Sequence, residues 1–358
     1  MRILHIDSAR GWRGGQNQVL LTAEGMARHG HRVSVACQAG GSLEGRCRAA
    51  GLEVHPLRFH GDLSPAATLG LASVLRRERP AVLQLHDPHA LAAGLLARRL
   101  GPRTATIATR RVDFPIHGRL SRAKYRAADR VIVVSAAIAR VLEADGVPRD
   151  RIRLVHEGVT DRPPVPGGGE LLAGLGVPPG AAVVGNVAAL VDHKDHATLV
   201  EAAARVVRER PETYFVVAGE GERRGDIETR VQALGLGRHF VLAGFRHDLD
   251  RLIPAFTLFC LSSKLEGLGT SLLDAMCFSR AVVATAAGGI PDAVEDQATG
   301  RLAPPGDPSA LAAALLEVLA DPERREAMGR AGRRRFEERF SAERMVERTL
   351  EVYAEVFP

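Results

Sequence analysis

Three short stretches of this 358-residue chain carry residue types that could do chemistry. In the first, Gly11-Trp12-Arg13-Gly14-Gly15-Gln16 stands between an apolar run and an amphipathic helical pattern. Glycines there let backbone amides approach a phosphate, and the helix start adds partial positive charge. The stretch is not G-x-G-x-x-G, no ribose-binding acid follows about 20 residues on, and there is no Walker A sequence, so a dinucleotide site is disfavoured. A plain tight turn fits it equally well. In the second, Gly185-Asn186-Val187 ends a strand, and the loop through His193-Lys194-Asp195-His196 delivers a single lysine before a helix. An ammonium there would neutralise a diphosphate leaving group. A surface lysine at a helix start is the plainer reading. His193 and His196 flank it without the cysteines or carboxylates of a metal set, so no metal ligand is assigned. In the third, Glu266-Gly267-Leu268-Gly269-Thr270 is a Gly-rich turn into a helix that carries Asp274. Amides from Leu268 onward form an anion-binding nest at that helix start. Glu266 and Asp274 suit a hydroxyl-rich ligand, since each carboxylate accepts several hydrogen bonds. Asp274 also fits a helical acid favoured by the helix dipole.

The elements that must position these residues alternate almost without break. Arg2–Asp7, residues 31–37, Glu53–Leu57, residues 81–86, residues 104–109, residues 130–134 and residues 151–155 read as buried parallel strands. Helical stretches over 16–29, 65–79 and 90–100 separate them. Residues 161–169, Asp-Arg-Pro-Pro-Val-Pro-Gly-Gly-Gly, are the richest Pro/Gly cluster and read as a linker. The alternation then restarts. Strands are expected over 182–187, 214–218, 240–243, 258–261 and 281–285, with helices over 197–210, 225–234, 270–278, 309–320, 322–338 and 342–356. The pattern is α/β: two Rossmann-like halves whose parallel sheets face a cleft.

Composition narrows the function classes. The chain is 46% hydrophobic and 25% charged, typical of a globular protein. Aromatics make up 4%, too few for a surface that works by stacking nucleic-acid bases. No run of about 18 apolar residues spans a membrane, and the N-terminal apolar run meets Asp7 too early for a signal peptide. The four cysteines lack C-x-x-C spacing, which fits reduced thiols in a cytoplasmic protein. Residues 1–165 hold 26 Lys+Arg against 14 Asp+Glu, whereas the rest is acidic. That excess favours anionic partners, although an Arg-rich genome would also produce it.

In combination the motifs resemble the group 1, or family 4, retaining nucleotide-sugar glycosyltransferases of GT-B architecture. The resemblance runs through Val217-Ala218-Gly219-Glu220-Gly221, Phe240 to Gly244, Glu266 to Met276, Val282 to Thr285, Gly288 to Asp292, Thr299 to Leu302 and Pro305-Gly306-Asp307. It implies an N-terminal acceptor-binding domain of residues 1–162 plus 342–358, with the last helix crossing back, and a donor-binding domain of residues 163–341. It implies that Lys194 binds the donor diphosphate and that Glu266 contacts hydroxyls of the transferred sugar. Asp274 would hold the ribose, and the amides of Gly267, Leu268, Gly269 and Thr270 would cradle sugar and phosphates. Gly14, Gly15 and Gln16 would close on the diphosphate, and Asn186, Phe245 and Arg246 would complete the nucleotide site. The resemblance implies a nucleoside-diphosphate sugar as donor, UDP- or GDP-linked first, with no cofactor and no metal. Asp248-Leu249-Asp250 matches a D-x-D metal motif only by accident.

Two positions depart from the family pattern. The acidic pair is usually Glu-x7-Glu, but its second member here is Asp274, and Ala189 stands where many relatives carry an arginine. On the acceptor side, His86, Thr109, Arg110 and Arg111 follow strands at the cleft. Relatives often place a histidine near Thr109. Two guanidinium forks suit a phosphate or carboxylate, and pairing with Asp113 and other acids is an equal alternative. A buried, satisfied imidazole is the plainer reading of His86. The implied acceptor is an anionic glycan or glycolipid, in cell-envelope or lipopolysaccharide synthesis. Arg119, Arg122, Lys124 and Arg126 would then touch an acidic membrane at its inner face. Rival readings are a nucleotide-sugar epimerase, which needs no acceptor, and a non-catalytic sugar-nucleotide-binding relative. Nucleic-acid binding has no motif behind it.

Overall fold

The computed structural model describes residues 1–61 and 64–357; Asp62, Leu63 and Pro358, which fall within the expected N-terminal domain, lie outside the described residues. The chain divides into two compact units, Met1–Thr160 with Ser341–Pro358, and Asp161–Phe340. The strands of the first are β1 (Arg2–Asp7), β2 (Arg32–Gln38), β3 (Glu53–Leu57), β4 (Val82–Leu85), β5 (Ala105–Arg110), β6 (Arg130–Val133) and β7 (Ile152–Leu154). They form one sheet in the order β3-β2-β1-β4-β5-β6-β7, and each pair is parallel. The strands of the second unit are β8 (Ala182–Val187), β9 (Thr213–Ala218), β10 (Phe240–Leu242), β11 (Leu258–Leu261), β12 (Val282–Thr285) and β13 (Gly300–Ala303). Their order is β10-β9-β8-β11-β12-β13, again parallel throughout.

Helices between consecutive strands cover both faces, so the central strands read as unbroken apolar runs. In the first unit Ile3, Val35, Val82, Ile107 and Ile132 meet Val19, Ala23 and Met26 of the helix Gly14–Arg28. In the second, Phe215 and Phe240 stand in register on β9 and β10 with their rings stacked 5.9 Å apart. Gly185 on β8 leaves space for Phe256; a Cβ there would lie 1.9 Å from that ring.

The last helix, Ala342–Ala354, packs on the first unit. Tyr353, fully buried, donates its hydroxyl hydrogen to Gln84 of β4. Arg130 and Arg153 clamp Glu355, which they hold down to about 2. Gly25 allows the close approach, since a Cβ there would meet Val346 Cγ2 at 2.4 Å.

The Pro/Gly segment departs from a plain linker. Gly168–Gly174 is helical, with Gly167 in the left-handed region at φ 92°. Its glycines serve packing: a Cβ on Gly167 would strike Arg251 Nη2 at 2.2 Å, and one on Gly168 would meet Ala255 Cβ at 2.6 Å. Asp161 is gripped by both terminal nitrogens of Arg333, at 2.7 and 2.8 Å. The helices Ser42–Ala49 and Ala136–Ala144 and the strand β13 also lie outside the elements expected from sequence. Gly300 and Arg301 interrupt the apolar run of β13, which hides it from periodicity.

Candidate active site

In an open parallel sheet, ligands bind beyond the carboxyl ends of the strands where the strand order reverses. In the second unit that reversal lies between β8 and β11. The loop after β8 carries Lys194, the loop after β11 carries Glu266, and the two side chains form an ion pair. Ser263 Oγ donates to Glu266 Oε2 at 3.1 Å. Lys264 N donates to His193 O at 2.8 Å, and Ser262 Oγ donates to the carbonyls of Lys194 and Asp195, each at 3.0 Å. Asp195 takes the left-handed conformation at φ 48° and caps the helix His196–Glu209, bonding Thr198 N and Oγ1. Lys264 Nζ lies 3.2 Å from Asp195 Oδ1. Lys194 is therefore held from both sides.

The segment before Lys194 is fixed by glycines. Ala188 N and Leu190 N bond the carbonyls of Ala218 and Glu220, which extends the β8–β9 pairing. Gly219, at φ 156°, permits this, because a Cβ would sit 1.9 Å from Ala188 O. Asn186 lies deeper than a ligand contact. Its Nδ2 donates to Cys260 O at 2.8 Å, and its Oδ1 faces His196 Nε2 at 3.3 Å. Burial, with Lys194 nearby, lowers His196 to about 4, so it is neutral near pH 7.

After β11, Gly269 takes φ 87° ahead of the helix Thr270–Cys277. Leu268 is buried, and Gly289 N donates to Glu266 O at 2.9 Å, so the turn of Gly267 to Thr270 is anchored from behind. Asp274 does not join the Lys194–Glu266 pair. Its Oδ1 accepts from Arg162 Nη2 at 2.7 Å, and burial raises its carboxyl while Arg162 opposes the rise. Arg162 was hidden in the Pro/Gly run, and no spacing pointed to it. Beyond β10, Phe245 is exposed with its ring edge-on to His247. Arg246 forms a two-pronged pair with Asp248 at 2.9 and 2.6 Å.

In the first unit the order reverses between β1 and β4. After β1 come Asp7 and the Gly14–Gly15 helix start; after β4 come His86 and Asp87. Gln16 is buried and donates to both oxygens of Asp7, at 3.3 and 3.2 Å, so its side chain secures the loop. Burial and the neighbouring Asp87 raise Asp7 to about 6. Asp87 accepts from Ser8 N and Oγ and from the amides of His89 and Ala90.

His86 and Arg111 form a relay. Arg111 Nη2 lies 3.2 Å from His86 Nδ1, and His86 Nε2 lies 2.9 Å from His5 Nδ1. A guanidinium only donates, so His86 Nδ1 accepts and His86 Nε2 carries the hydrogen. His5 Nε2, at the far end, is buried with no partner among the described residues. Burial and Arg111 lower His5 to about 3 and His86 well below its ordinary value. Arg111 Nε donates to Glu157 at 2.9 Å, so its acid is Glu157. A Cβ on Gly15 would lie 3.9 Å from Arg111 Cδ, which places that guanidinium stem at the helix start.

Arg110 is buried and turned to its own loop, donating to Phe114 O and, at 3.4 Å, to Tyr125 Oη. Thr109 Oγ1 accepts from Gln84 Nε2 at 2.9 Å within the network that ends at Tyr353. Of the basic residues expected at a membrane, three hold the protein itself. Arg122 pairs Asp145 at 3.1 Å, while Lys124 and Arg126 donate to the carbonyls of Pro88 and Asp145. Arg119 is exposed beside Leu120, whose side chain is 84% exposed.

One grouping of metal-ligand type occurs among the described residues, Glu53, His55 and Glu78. It is engaged already: Arg77 Nη2 faces His55 Nδ1 at 3.2 Å, Ser34 donates to Glu78 at 2.6 Å, and Arg32 pairs Glu53 at 3.3 Å.

Known proteins resemble this chain in sequence and fold. The family model "Glycosyl transferases group 1" matches residues 170–335, and "Glycosyltransferase Family 4" matches residues 12–162. The 2-deoxystreptamine N-acetyl-D-glucosaminyltransferase of Streptomyces fradiae is 32% identical over 80% of this chain and 74% of its own length. The alpha-maltose-1-phosphate synthase of Mycolicibacterium smegmatis is 34% identical over 66% of each chain. The Anabaena HepE protein crystallised with UDP-glucose superposes with a TM-score of 0.87 at 21% identity, covering 99% of this chain and all of that one. The chain belongs to the group 1 glycosyltransferases and has the GT-B fold.

Proposed function

We propose that the protein transfers a sugar from a nucleoside-diphosphate sugar to a hydroxyl of a glycan or lipid-linked acceptor, with retention of anomeric configuration and without a metal. The observation that carries this is the Lys194–Glu266 pair at the strand-order reversal of the second unit. An arriving diphosphate exchanges partners with Glu266 at Lys194 Nζ, which frees the Glu266 carboxylate to accept from sugar hydroxyls. The bond from the anomeric carbon to the phosphate oxygen breaks, and a bond to the acceptor oxygen forms on the same face. The acceptor proton goes to the leaving phosphate. Lys194 stabilises the charge that develops there, and the anchored turn from Gly267 to Thr270 supplies amides without reorganisation. Asp274, held by Arg162, would meet the ribose, and Phe245 with Arg246 would border the base.

UDP is the first donor nucleotide to test, because the Anabaena neighbour was crystallised with UDP-glucose. The first unit is read as the acceptor side, with Arg111 as its anion contact. The Mycolicibacterium relative is named for making maltose 1-phosphate, a phosphorylated sugar, which supports an anionic acceptor. A role in cell-envelope glycan synthesis, with peripheral contact to acidic membrane, belongs to the same reading. A thermal-shift screen of uridine, guanosine and adenosine diphosphate sugars tests the donor, since binding raises folded-state stability as RT ln(1 + [L]/Kd). Incubation with the bound donor and an acceptor panel, followed by NMR of the anomeric proton, tests the reaction. Sugar inversion in the donor without any acceptor would mark an epimerase instead.

A further inference from the structure

A concave site lies apart from the strand-order reversal of the first unit, beyond the carboxyl ends of β1, β2 and β3. It is a cavity of about 510 Å³ lined by Arg10, Gln38, Ala39, Gly40, Arg58 and His60. Three loops line it: the one after β1 carries Arg10, the one after β2 carries Ala39 and Gly40, and the one after β3 carries both Arg58 and His60. Hydrogen bonds fix those loops to one another: Ser42 N donates to the backbone carbonyl Arg10 O at 3.0 Å, and Phe59 N donates to the side-chain Gln38 Oε1 at 2.9 Å. Ser64 Oγ holds Arg58 O at 3.1 Å. Gly41 lets the first two loops close, because a Cβ there would lie 2.9 Å from Gln38 O and 3.3 Å from Arg10 O. Arg46 stacks over Trp12 at 4.1 Å and anchors the loop that carries Arg10.

Among the described residues the charges in this cavity are uncommitted. Among the described residues neither Arg10, Arg58 nor His60 pairs with a carboxylate, whereas Arg98, Arg111, Arg122, Arg130 and Arg153 of the same unit all do. Two described acids of the surrounding loops, Glu44 and Asp7, are already satisfied. Glu44 accepts from Gly40 N and pairs Arg48, each at 2.7 Å, and Asp7 is taken by Ala9 N and Gln16. Two guanidinium groups and an imidazole converging on one hollow suit a phosphate or carboxylate, which accepts from several donors at once. The volume falls in the range of small-ligand sites, so it accommodates the sugar that bears the anion as well.

We propose that the Arg10–Arg58–His60 cavity is a subsite for a phosphate or carboxylate carried on a sugar acceptor. This rests on reading the first unit as the acceptor side, and it adds these three side chains to Arg111 as anion contacts of that side. The test uses titration calorimetry of the full chain with glucose 6-phosphate, glucuronate and glucose, and separately with UDP. Wild type is expected to bind the two anionic sugars and to bind glucose at least tenfold more weakly. Arg10→Ser with Arg58→Ser should weaken the anionic sugars tenfold or more and leave UDP binding and melting temperature unchanged. Arg205→Ser with Arg208→Ser, which removes the same charge from an exposed helix face of the second unit, should change neither. Equal affinity in the two double variants, no preference over glucose, or a loss of UDP binding in the Arg10/Arg58 variant would each overturn the proposal. Sugar-phosphate binding in a protein that binds no nucleotide sugar would leave the cavity standing and remove the transferase reading.

Discussion

Lys194 and Glu266 neutralise one another in the loops after β8 and β11, so Lys194 is poised for an anionic ligand group and Glu266 for hydrogen-bond donors. Lys194→Ala is expected to lower turnover with a nucleotide sugar by about 10²-fold or more, the scale for losing one preorganised donor to a developing oxyanion. Steady-state kinetics check this, and unchanged kcat removes Lys194 from the chemistry. On the proposed metal-independent mechanism, chelation by EDTA should leave the rate unaltered, since the Lys194 ammonium would meet the charge on the leaving group. Arg162→Met strands Asp274 in a partly buried site and should destabilise the second unit by about 1–3 kcal/mol, read by urea denaturation. Acid sensitivity also has a definite sign. His5, His86 and His196 all fall below their ordinary value when folded, to about 3 for His5 and about 4 for His196. The unfolded chain therefore takes up protons first, and stability present above pH 6.5 is lost as pH falls towards 4, by up to about 1.4 kcal/mol per pH unit for each imidazole. Asp7, raised to about 6, and Asp274, also raised, act in the opposite sense, since their folded forms hold the proton more tightly. Three imidazoles outweigh two carboxyls, so the urea midpoint should drop between pH 6.5 and 4.5, and His5→Phe should flatten the drop. Lys194 and Glu266 could be singled out in the sequence because each stands in a loop after a strand, Glu266 at a glycine-marked turn and Lys194 just before a helix. Arg162 and Ser263 were not legible, because their role depends on which chain segments fold next to Asp274 and Glu266.

Elements were easier to read than their ends. Apolar runs flanked by Gly or Pro gave most of the strands, whereas Gly168–Gly174 was masked by the prolines and glycines before it. Those glycines turned out to serve close packing against Arg251 and Ala255. Gly219 works in the same way for the loop that bears Lys194. Gly219→Ala should cost about 2–3 kcal/mol or more, since φ 156° and a Cβ 1.9 Å from Ala188 O force backbone to move. The loop should suffer along with the strand, so nucleotide binding in a thermal-shift assay should fall with stability. On the other unit, Tyr353→Phe removes the hydroxyl that reaches Gln84 and should lower stability by about 1–2 kcal/mol. Thr109, read from sequence as an acceptor contact, is joined to that same buried network. Periodicity placed it on a strand but could not say which face its hydroxyl would serve.

Over the whole molecule the charge asymmetry was visible in the sequence, but its distribution was not. Much of the basic excess in the first unit is spent on internal pairs; among the described residues, groups without a carboxylate partner include the Arg10–Arg58–His60 cavity and Arg119, in a segment with exposed Leu120 and Phe114. Binding to anionic vesicles should therefore need the apolar pair as well as charge. Phe114→Ser with Leu120→Ser should abolish co-sedimentation at low salt, and retention of binding by that variant would place the contact elsewhere. The chain leaves the first unit at Thr160 and returns to it at Ser341. On the ribosome this sets an order of maturation. The first unit is made early but waits for its last helix while residues 161–340 are synthesised, roughly 10–40 s at usual elongation rates. During that interval the surface around Gly25 and Gln84 stays uncovered, and the nascent second unit can complete its own sheet first. A chaperone that recognises exposed apolar surface would meet this protein at its beginning, not at its end.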